Sequence, residues 1–172
     1  MGVTTHSGWA IAVVAGLDAG RLEVVDRRRI ELISPDLPRQ AYHAALGLPA
    51  EEAEALVTAV DRSIVECSLA ALRKIQADHT VVAVGVVGPI REIPDVPKVL
   101  ASHARMHASE GEQYRRGVTE AAADLGLRVE RVDPKDLPSG LAEDHARIRA
   151  TLGPPWQKDH KEAAAAALVA LS

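Results

Sequence analysis

The chain contains no phenylalanine, and aromatic residues make up only 2% of its 172 residues. Its core must therefore be built from alanine, valine, leucine and isoleucine, which requires close spacing between backbones. Hydrophobic residues still reach 47% and charged residues 26%, values typical of a globular protein and not of a disordered one. At this length the sequence predicts a single domain over residues 1–172.

Cysteine is almost absent as well. Cys67 is the only one, which excludes an intrachain disulfide, a CxxC redox pair and a thiolate metal cluster. No apolar stretch reaches the roughly 18 residues that a membrane-spanning helix needs, and no signal-peptide pattern opens the sequence. These absences favour a cytoplasmic protein that does not enter a membrane.

The chain also lacks an excess of positive charge. Its formal net charge is -4, so it has no global attraction for nucleic acid, which binds proteins largely through phosphate neutralisation. Basic runs occur at Arg27, Arg28 and Arg29 and at Arg115 and Arg116, and a solvated surface is the simpler interpretation of both. The phosphate-binding loop patterns and the GxSxG elbow are missing too, which disfavours nucleoside-triphosphate binding by those loops and serine hydrolysis.

The hydrophobic pattern predicts an α/β order that begins with a hairpin. Strands are expected, in chain order, over residues 1–5, 9–14, 21–33, 79–87 and 127–132. Helices are expected over residues 50–77, 98–125, 141–152 and 158–171, with one helical turn near Tyr42 in a proline-rich loop. Strand-helix-strand units imply right-handed crossovers and a parallel second half of the sheet.

Two short motifs stand at opposite ends of this order. Gly2-Val3-Thr4 lies in the first strand, and Asp159-His160-Lys161-Glu162-Ala163 lies in the last helix. Together with the element order, they resemble the ribonuclease H-like fold and its Holliday-junction resolvases, over nearly the whole chain. Members of that family open with a Gly-hydrophobic-Asp strand whose Asp binds a metal, and their last helix carries Asp-x-x-Asp-Ala.

The resemblance implies an α/β fold with a mixed sheet, antiparallel at its opening and parallel in its second half, and helices on both faces. It also implies phosphodiester hydrolysis of nucleic acid with a divalent cation, Mg²⁺, Mn²⁺ or Zn²⁺, as cofactor. Asp159 and Glu162 match the second motif, whereas Thr4 stands where the first carboxylate is expected. Two-metal hydrolysis needs carboxylates that hold cations about 4 Å apart, so the family's site is lost or altered in this chain.

The helix expected over residues 98–125 carries the most informative stripe. At 3.6 residues per turn, one face contains three ionisable side chains, His103, His107 and Glu110. Their i, i+4, i+7 spacing lets all three reach one point, which is the geometry of helix-borne metal ligands. The stripe is expected to face the core, and Glu112 is expected to point away from it. Its apolar members are Leu100, Tyr114, Val118, Ala121 and Leu125.

Two interpretations of this stripe remain open. In the first, His103, His107, Glu110 and Asp159 hold a divalent cation that activates water, and His6 and Asp159 take part in catalysis on nucleic acid. In the second, the stripe is a buried hydrogen-bond network in a non-catalytic binding or structural module, such as one subunit of a homodimer. A single metal site requires the carboxylate of Asp159 to lie within ligand reach of both imidazoles.

Overall fold

A computed structural model describes all of residues 1–172 and contains five strands and six α-helices. The strands are β1 (Gly2–His6), β2 (Trp9–Asp18), β3 (Arg21–Glu31), β4 (Ala83–Val87) and β5 (Arg128–Val132). The helices are α1 (Ala41–Ala45), α2 (Ala50–Asp78), α3 (Val96–Leu100), α4 (His103–Asp124), α5 (Ala142–Leu152) and α6 (Lys158–Leu171). A single 3-10 turn spans Pro134–Asp136. No helix is both long enough and apolar enough to cross a membrane.

The strands form one mixed sheet in the order β3-β2-β1-β4-β5. β1, β2 and β3 pair antiparallel, whereas β4 pairs parallel with β1 on one side and with β5 on the other. This arrangement confirms the predicted α/β class, with an antiparallel opening and a parallel second half. Both faces of the sheet are covered, since alternate residues of β2 enter two separate hydrophobic clusters.

The helix α6 lies unusually close to one face of the sheet. A Cβ atom added to Gly2 would lie 1.7 Å from the carbonyl oxygen of Ala163, and one added to Gly85 would lie 2.1 Å from that of Ala166. Only glycine fits at either strand position, because a real Cβ atom never approaches backbone so closely. The alanine run of α6 and these glycines therefore supply the close spacing that a core without phenylalanine requires.

The opposite face of the sheet is covered by α2 and α4, which bring larger side chains. Ile64 of α2 packs against α4 at Gly117, and Tyr114 is buried between α4 and the segment that precedes α1. The hydroxyl of Tyr114 donates a 2.7 Å hydrogen bond to the carbonyl of Arg39. This bond ties the proline-rich segment between β3 and α2 to the middle of α4.

The helix expected over residues 98–125 is interrupted. Ser102 adopts an extended backbone conformation, and its carbonyl accepts from the amide of Met106, so a new helix begins at His103. Further along, Arg115 lies beside Gly88, the residue that follows β4. His103, at the start of α4, precedes Arg115 by twelve residues, which at 1.5 Å per residue places it about 18 Å further along the helix axis. The first half of α4 thus extends past the carboxyl edge of the parallel strands.

The expected burial of the stripe is only partly correct. Glu110 is buried, as predicted, but His103 and His107, which lie nearer the start of α4, are exposed. Glu112 is only 3% exposed, contrary to expectation. It is buried because Arg131 of β5 reaches across to pair with it.

Candidate functional site

Three imidazoles come together at the start of α4. The Nε2 atoms of His103 and His107 are 3.0 Å apart, and the ring of His43, from α1, packs against both. One nitrogen from each of the three side chains lies within 4.8 Å of the other two. Nitrogens bound to one Zn²⁺ ion at about 2.1 Å are separated by roughly 3.4 Å in tetrahedral geometry. Small side-chain rotations would therefore bring the three to a common ion.

Glu110 fixes the orientation of His43. The oxygens of its carboxylate lie 2.8 and 2.9 Å from Nδ1 of His43, and one of them also accepts the backbone N–H of His43 at 3.1 Å. Because an ionised carboxylate only accepts, Nδ1 of His43 carries the proton. Its Nε2 atom is buried and has no hydrogen-bond partner. A carboxylate behind a histidine in this way is the arrangement that orients metal-binding imidazoles.

The predicted ligands are thus partly brought together. His103 and His107 converge. Glu110 is not one of the three convergent side chains but contacts one of them, His43. His43 was not anticipated from the sequence. The only signal for it was a single histidine within the proline-rich loop, beside the helical turn expected at Tyr42.

Asp159 lies in a different cluster. In β1 the side chains alternate, so Thr4 and His6 point toward α6, on the same side as Gly2. The hydroxyl of Thr4 donates to the backbone carbonyl of Asp159 at 3.1 Å, and Nε2 of His6 lies 3.0 Å from its carboxylate. Since α6 and α4 cover opposite faces of the sheet, Asp159 is placed with His6 and not with the histidines of α4. Glu162 pairs instead with Lys158.

The ring of His6 also belongs to a stack. It lies parallel to the indole of Trp9, with 4.1 Å between centroids, and the guanidinium of Arg29 lies 4.2 Å from the Trp9 ring centre. His6 belongs to β1 and Arg29 to β3, the two strands that flank β2, which carries Trp9. The stack holds the imidazole of His6 in a fixed position against Asp159.

Arginines surround the groove beside His107. Two adjoining cavities of about 310 and 320 Å³ run along the first half of α4 and share Arg91 and Ala108 as lining residues. His107 and Arg115 line the first, and Arg105 lines the second. One carboxylate, that of Glu92, also lines the second cavity. With three guanidinium groups against one carboxylate, the groove next to the imidazole cluster favours anionic ligands.

A buried ion-pair network adjoins this groove through Arg115. Both carboxylate oxygens of Glu112 accept from Arg131 at 2.9 Å, and one of them also accepts from Arg115 at 3.0 Å. Burial by itself would raise the pKa of Glu112, but its hydrogen bonds to Arg131 and Arg115 and their charges outweigh it, and the pKa is lowered. Burial lowers the pKa of Arg115, and the positive charges of Arg131 and Arg91 act in the same direction.

The basic run in β3 is occupied by contacts within the chain. Arg27 donates to three consecutive backbone carbonyls at the end of α5 and just after it, while Arg28 and Arg29 each pair with nearby carboxylates. These contacts leave the groove along α4 as the stronger candidate for an anion-binding surface.

Comparisons with known proteins establish the fold. No family model and no curated protein sequence matches the chain. Among solved structures, that of Thermus thermophilus RuvC in complex with a Holliday junction substrate aligns with 97% of this chain and 88% of its own, at a TM-score of 0.56 and 17% identity. The chain has a ribonuclease H-like fold. A second Thermus thermophilus RuvC structure covers 97% of this chain and 89% of its own, at a TM-score of 0.48 and 17% identity.

The two clusters occupy different positions in the ribonuclease H-like fold. Thr4 and Asp159 occupy the first strand and the last helix, where the family's carboxylate motifs were expected. The hydroxyl of Thr4 donates a hydrogen bond to the backbone carbonyl of Asp159. The imidazole cluster lies instead beyond the carboxyl edge of β4, where ligands collect in open α/β sheets. At 17% identity the likeness establishes the fold, and the chemistry has to be argued from these residues.

Proposed function

We propose that this chain is a divalent-metal-dependent phosphodiester hydrolase acting on nucleic acid, with the cation bound by His43, His103 and His107. The observation that carries the proposal is the convergence of three imidazoles, one of which, His43, is held at Nδ1 by Glu110 and has a buried, unpartnered Nε2 atom. Three histidines leave one tetrahedral position open for water, as in catalytic and not structural zinc sites.

The ligand set favours one class of metal. Imidazole nitrogens suit Zn²⁺ and other transition metals, whereas Mg²⁺ prefers oxygen ligands. Of the divalent cations that the resemblance implies, Zn²⁺ therefore fits these three side chains best. A cation held by these three histidines would supply Lewis acidity and would lower the pKa of a coordinated water.

The surrounding residues supply the rest of the chemistry. Arg91 and Arg115 line the cavity next to His107 and offer guanidinium donors to the oxygens of a phosphate group. Glu110 holds His43 in the tautomer whose Nε2 atom is free. On the other face of the sheet, His6 and Asp159 form a second pair, in which the carboxylate orients the imidazole. We place this pair on the path of a strand that crosses the carboxyl edge of the sheet.

The fold supports nucleic acid as the substrate class. The RuvC structure to which the chain is similar contains a Holliday junction. The proposal here is broader, a phosphodiester of nucleic acid, because Thr4 replaces the first carboxylate of the family's motif.

A thermal-melting experiment tests the metal site. The chelator-treated protein is melted with and without Zn²⁺, Mn²⁺ or Mg²⁺, beside His107→Ala and the control His79→Ala. Zn²⁺ at about 100 times its dissociation constant should stabilise the wild type by about 2.7 kcal/mol. The shift should persist in His79→Ala, whose imidazole contacts Asp26 elsewhere, and vanish in His107→Ala. An equal shift in all three proteins, or none in any, would contradict the proposal.

Activity is then tested on single-stranded, duplex and four-way-junction DNA. Zn²⁺-dependent cleavage should be lost in His107→Ala and reduced in Arg91→Ala, which removes an exposed guanidinium from the groove. Arg73→Ala removes an exposed guanidinium from α2 and should cleave like the wild type. Cleavage that survives His107→Ala would place the reaction elsewhere.

A second candidate function, a non-catalytic module, has its own supporting observations. Thr4 stands in place of a carboxylate, and its hydroxyl is already bonded within the chain. Leu17 and Val25, on the hairpin that forms the free edge of the sheet, are 60% and 63% exposed. If this edge joins two copies of the chain, light scattering should show a dimer, and Val25→Asp should return it to a monomer.

A further inference from the structure

A separate cavity of about 550 Å³ lies between α5, α6 and the loop that leads into α5. It adjoins the hydrophobic cluster under β2 and β3, on the face of the sheet covered by α6, and contains none of the residues assigned above to the metal centre. Its volume lies within the range of small-molecule sites.

The polar lining of this cavity is cationic or neutral. Arg149 of α5 and Lys161 of α6 both line it, and no carboxylate does. Two acidic residues on these helices pair with other cations, since Glu162 pairs with Lys158 and Asp144 pairs with Arg147, while Glu143 is exposed. Two unneutralised cations on adjacent helices mark the cavity as a site for an anion.

Two aromatic rings form the inner wall. Trp156, which is 6% exposed, and His145 line the cavity with 5.8 Å between their ring centres. Nε1 of Trp156 and Nδ1 of His145 are both buried without a hydrogen-bond partner. Such groups are rare in folded proteins.

The protonation of His145 fits this picture. Burial and then the charge of Lys161 lower the pKa of His145, while Asp144 acts in the opposite direction. The lining therefore combines a mainly neutral imidazole and the guanidinium of Arg149, one helical turn away, with apolar side chains. The apolar residues of the lining include Pro138 and Leu141.

We propose that this cavity binds a small anionic molecule with a flat apolar body, of the class of aromatic carboxylates and aryl phosphates. Arg149 and Lys161 bind the anionic group, and Trp156, Leu141 and Pro138 contact the body. The assignment does not rest on the metal centre, because the two sites share no residue.

Calorimetric titration with phenyl phosphate, benzoate and inorganic phosphate tests the assignment. The variant is the double substitution Arg149→Ala with Lys161→Ala, and its control is Arg62→Ala with Arg73→Ala, which removes two exposed positive charges from α2. Both aryl anions should bind the wild type and the control alike, and the double variant should bind them at least about tenfold more weakly. Inorganic phosphate should bind more weakly than phenyl phosphate.

Tryptophan fluorescence gives a local readout of the same event. In a Trp9→Phe background only Trp156 remains, so saturation with phenyl phosphate should change its emission. Absence of binding, equal binding by the double variant, or equal affinity for inorganic phosphate would each overturn the assignment. A 5′-phosphorylated oligonucleotide that binds here while the small anions do not would also overturn it, since the ligand would then be a nucleic acid.

Discussion

The first half of α4, residues 103–111, and its second half, residues 112–124, share one backbone geometry but have different surroundings. In the second half, the charged residue Glu112 is enclosed by Arg115 and Arg131 and its oxygens are fully bonded. In the first half, the imidazoles of His103 and His107 are exposed, and their nitrogens are free of acidic partners. Glu112 is thus closed off by its partners in the second half, whereas His103 and His107 remain open to a ligand in the first half.

The largest expected effect on stability comes from substituting Glu112, in the second half of α4. Glu112→Ala leaves two half-buried guanidinium groups without their shared carboxylate and should destabilise the protein by about 3 kcal/mol, the lower end for a broken buried ion pair. Glu120→Ala, at an exposed position of the same half, should change the free energy of unfolding by less than about 0.5 kcal/mol. Urea unfolding measures both. Similar effects of the two substitutions would show that the ion-pair network is not structural.

The pH dependence of this stability has a definite sign. The pKa of Glu112 is lowered in the folded state from an ordinary value of 4.5. Its contribution is therefore complete above pH 4.5 and is lost as the pH falls through the folded-state pKa. The stability difference between the wild type and Glu112→Gln should be largest near neutral pH and shrink in acid. A difference that stays constant down to pH 3 would contradict the lowered pKa.

Two glycines of α4 sharpen the same comparison. A Cβ atom at Gly117 would lie 2.4 Å from Cγ2 of Ile64, so Gly117→Ala overpacks the interface with α2 and should cost about 1–3 kcal/mol. At Gly111 the nearest atom is the end of the flexible Arg115 side chain, at 3.3 Å. Gly111→Ala should therefore stabilise the helix by up to about 1 kcal/mol. Thermal melting should show shifts of opposite sign.

Substitution of Glu110, which orients the proposed metal ligand His43, is expected to affect Zn²⁺ affinity. Glu110→Gln removes the carboxylate that holds Nδ1–H of His43 but keeps the shape of the side chain. Zn²⁺ affinity should fall by about 10- to 100-fold, the usual result of losing such a partner. Competition with a chromogenic chelator measures the change. Unaltered affinity would mean that Glu110 does not orient the ligand.

The smallest effect on stability is expected at the histidines themselves. His103→Ala removes an exposed side chain and, without metal, should alter the free energy of unfolding by no more than about 0.5 kcal/mol. With Zn²⁺ present, the variant should lose the stabilisation that the wild type gains. A large loss without metal would support the structural interpretation of the stripe.

Much of the fold was predictable because local patterns determined it. The apolar runs of β2 and β4 and the periodicity of α2 and α4 predicted their elements within a few residues. The break before His103 was not predicted, since nothing in the periodicity of residues 98–125 marks it. Nor was the burial of Glu112, because that depends on Arg131, which lies in another element.

The candidate site was only partly predictable. Helical spacing correctly grouped His103 with His107, but it could not show that both side chains are exposed. His43 is 60 residues from His103 in the sequence and reaches it through tertiary contacts, namely the bonds of Glu110 to His43 and of Tyr114 to Arg39. The pairing of Asp159 with His6 depends on the close approach of α6 to β1.

The position of His43 gives the histidine cluster a mechanical role. It belongs to the short helix between β3 and α2, whereas the other two imidazoles belong to α4, so one bound ion would crosslink distant parts of the chain. A crosslink of this kind restricts the freedom of the intervening segments. Loading and removal of the ion would then tighten and release the proline-rich loop, and amide hydrogen exchange over residues 40–46 would report the occupancy of the site.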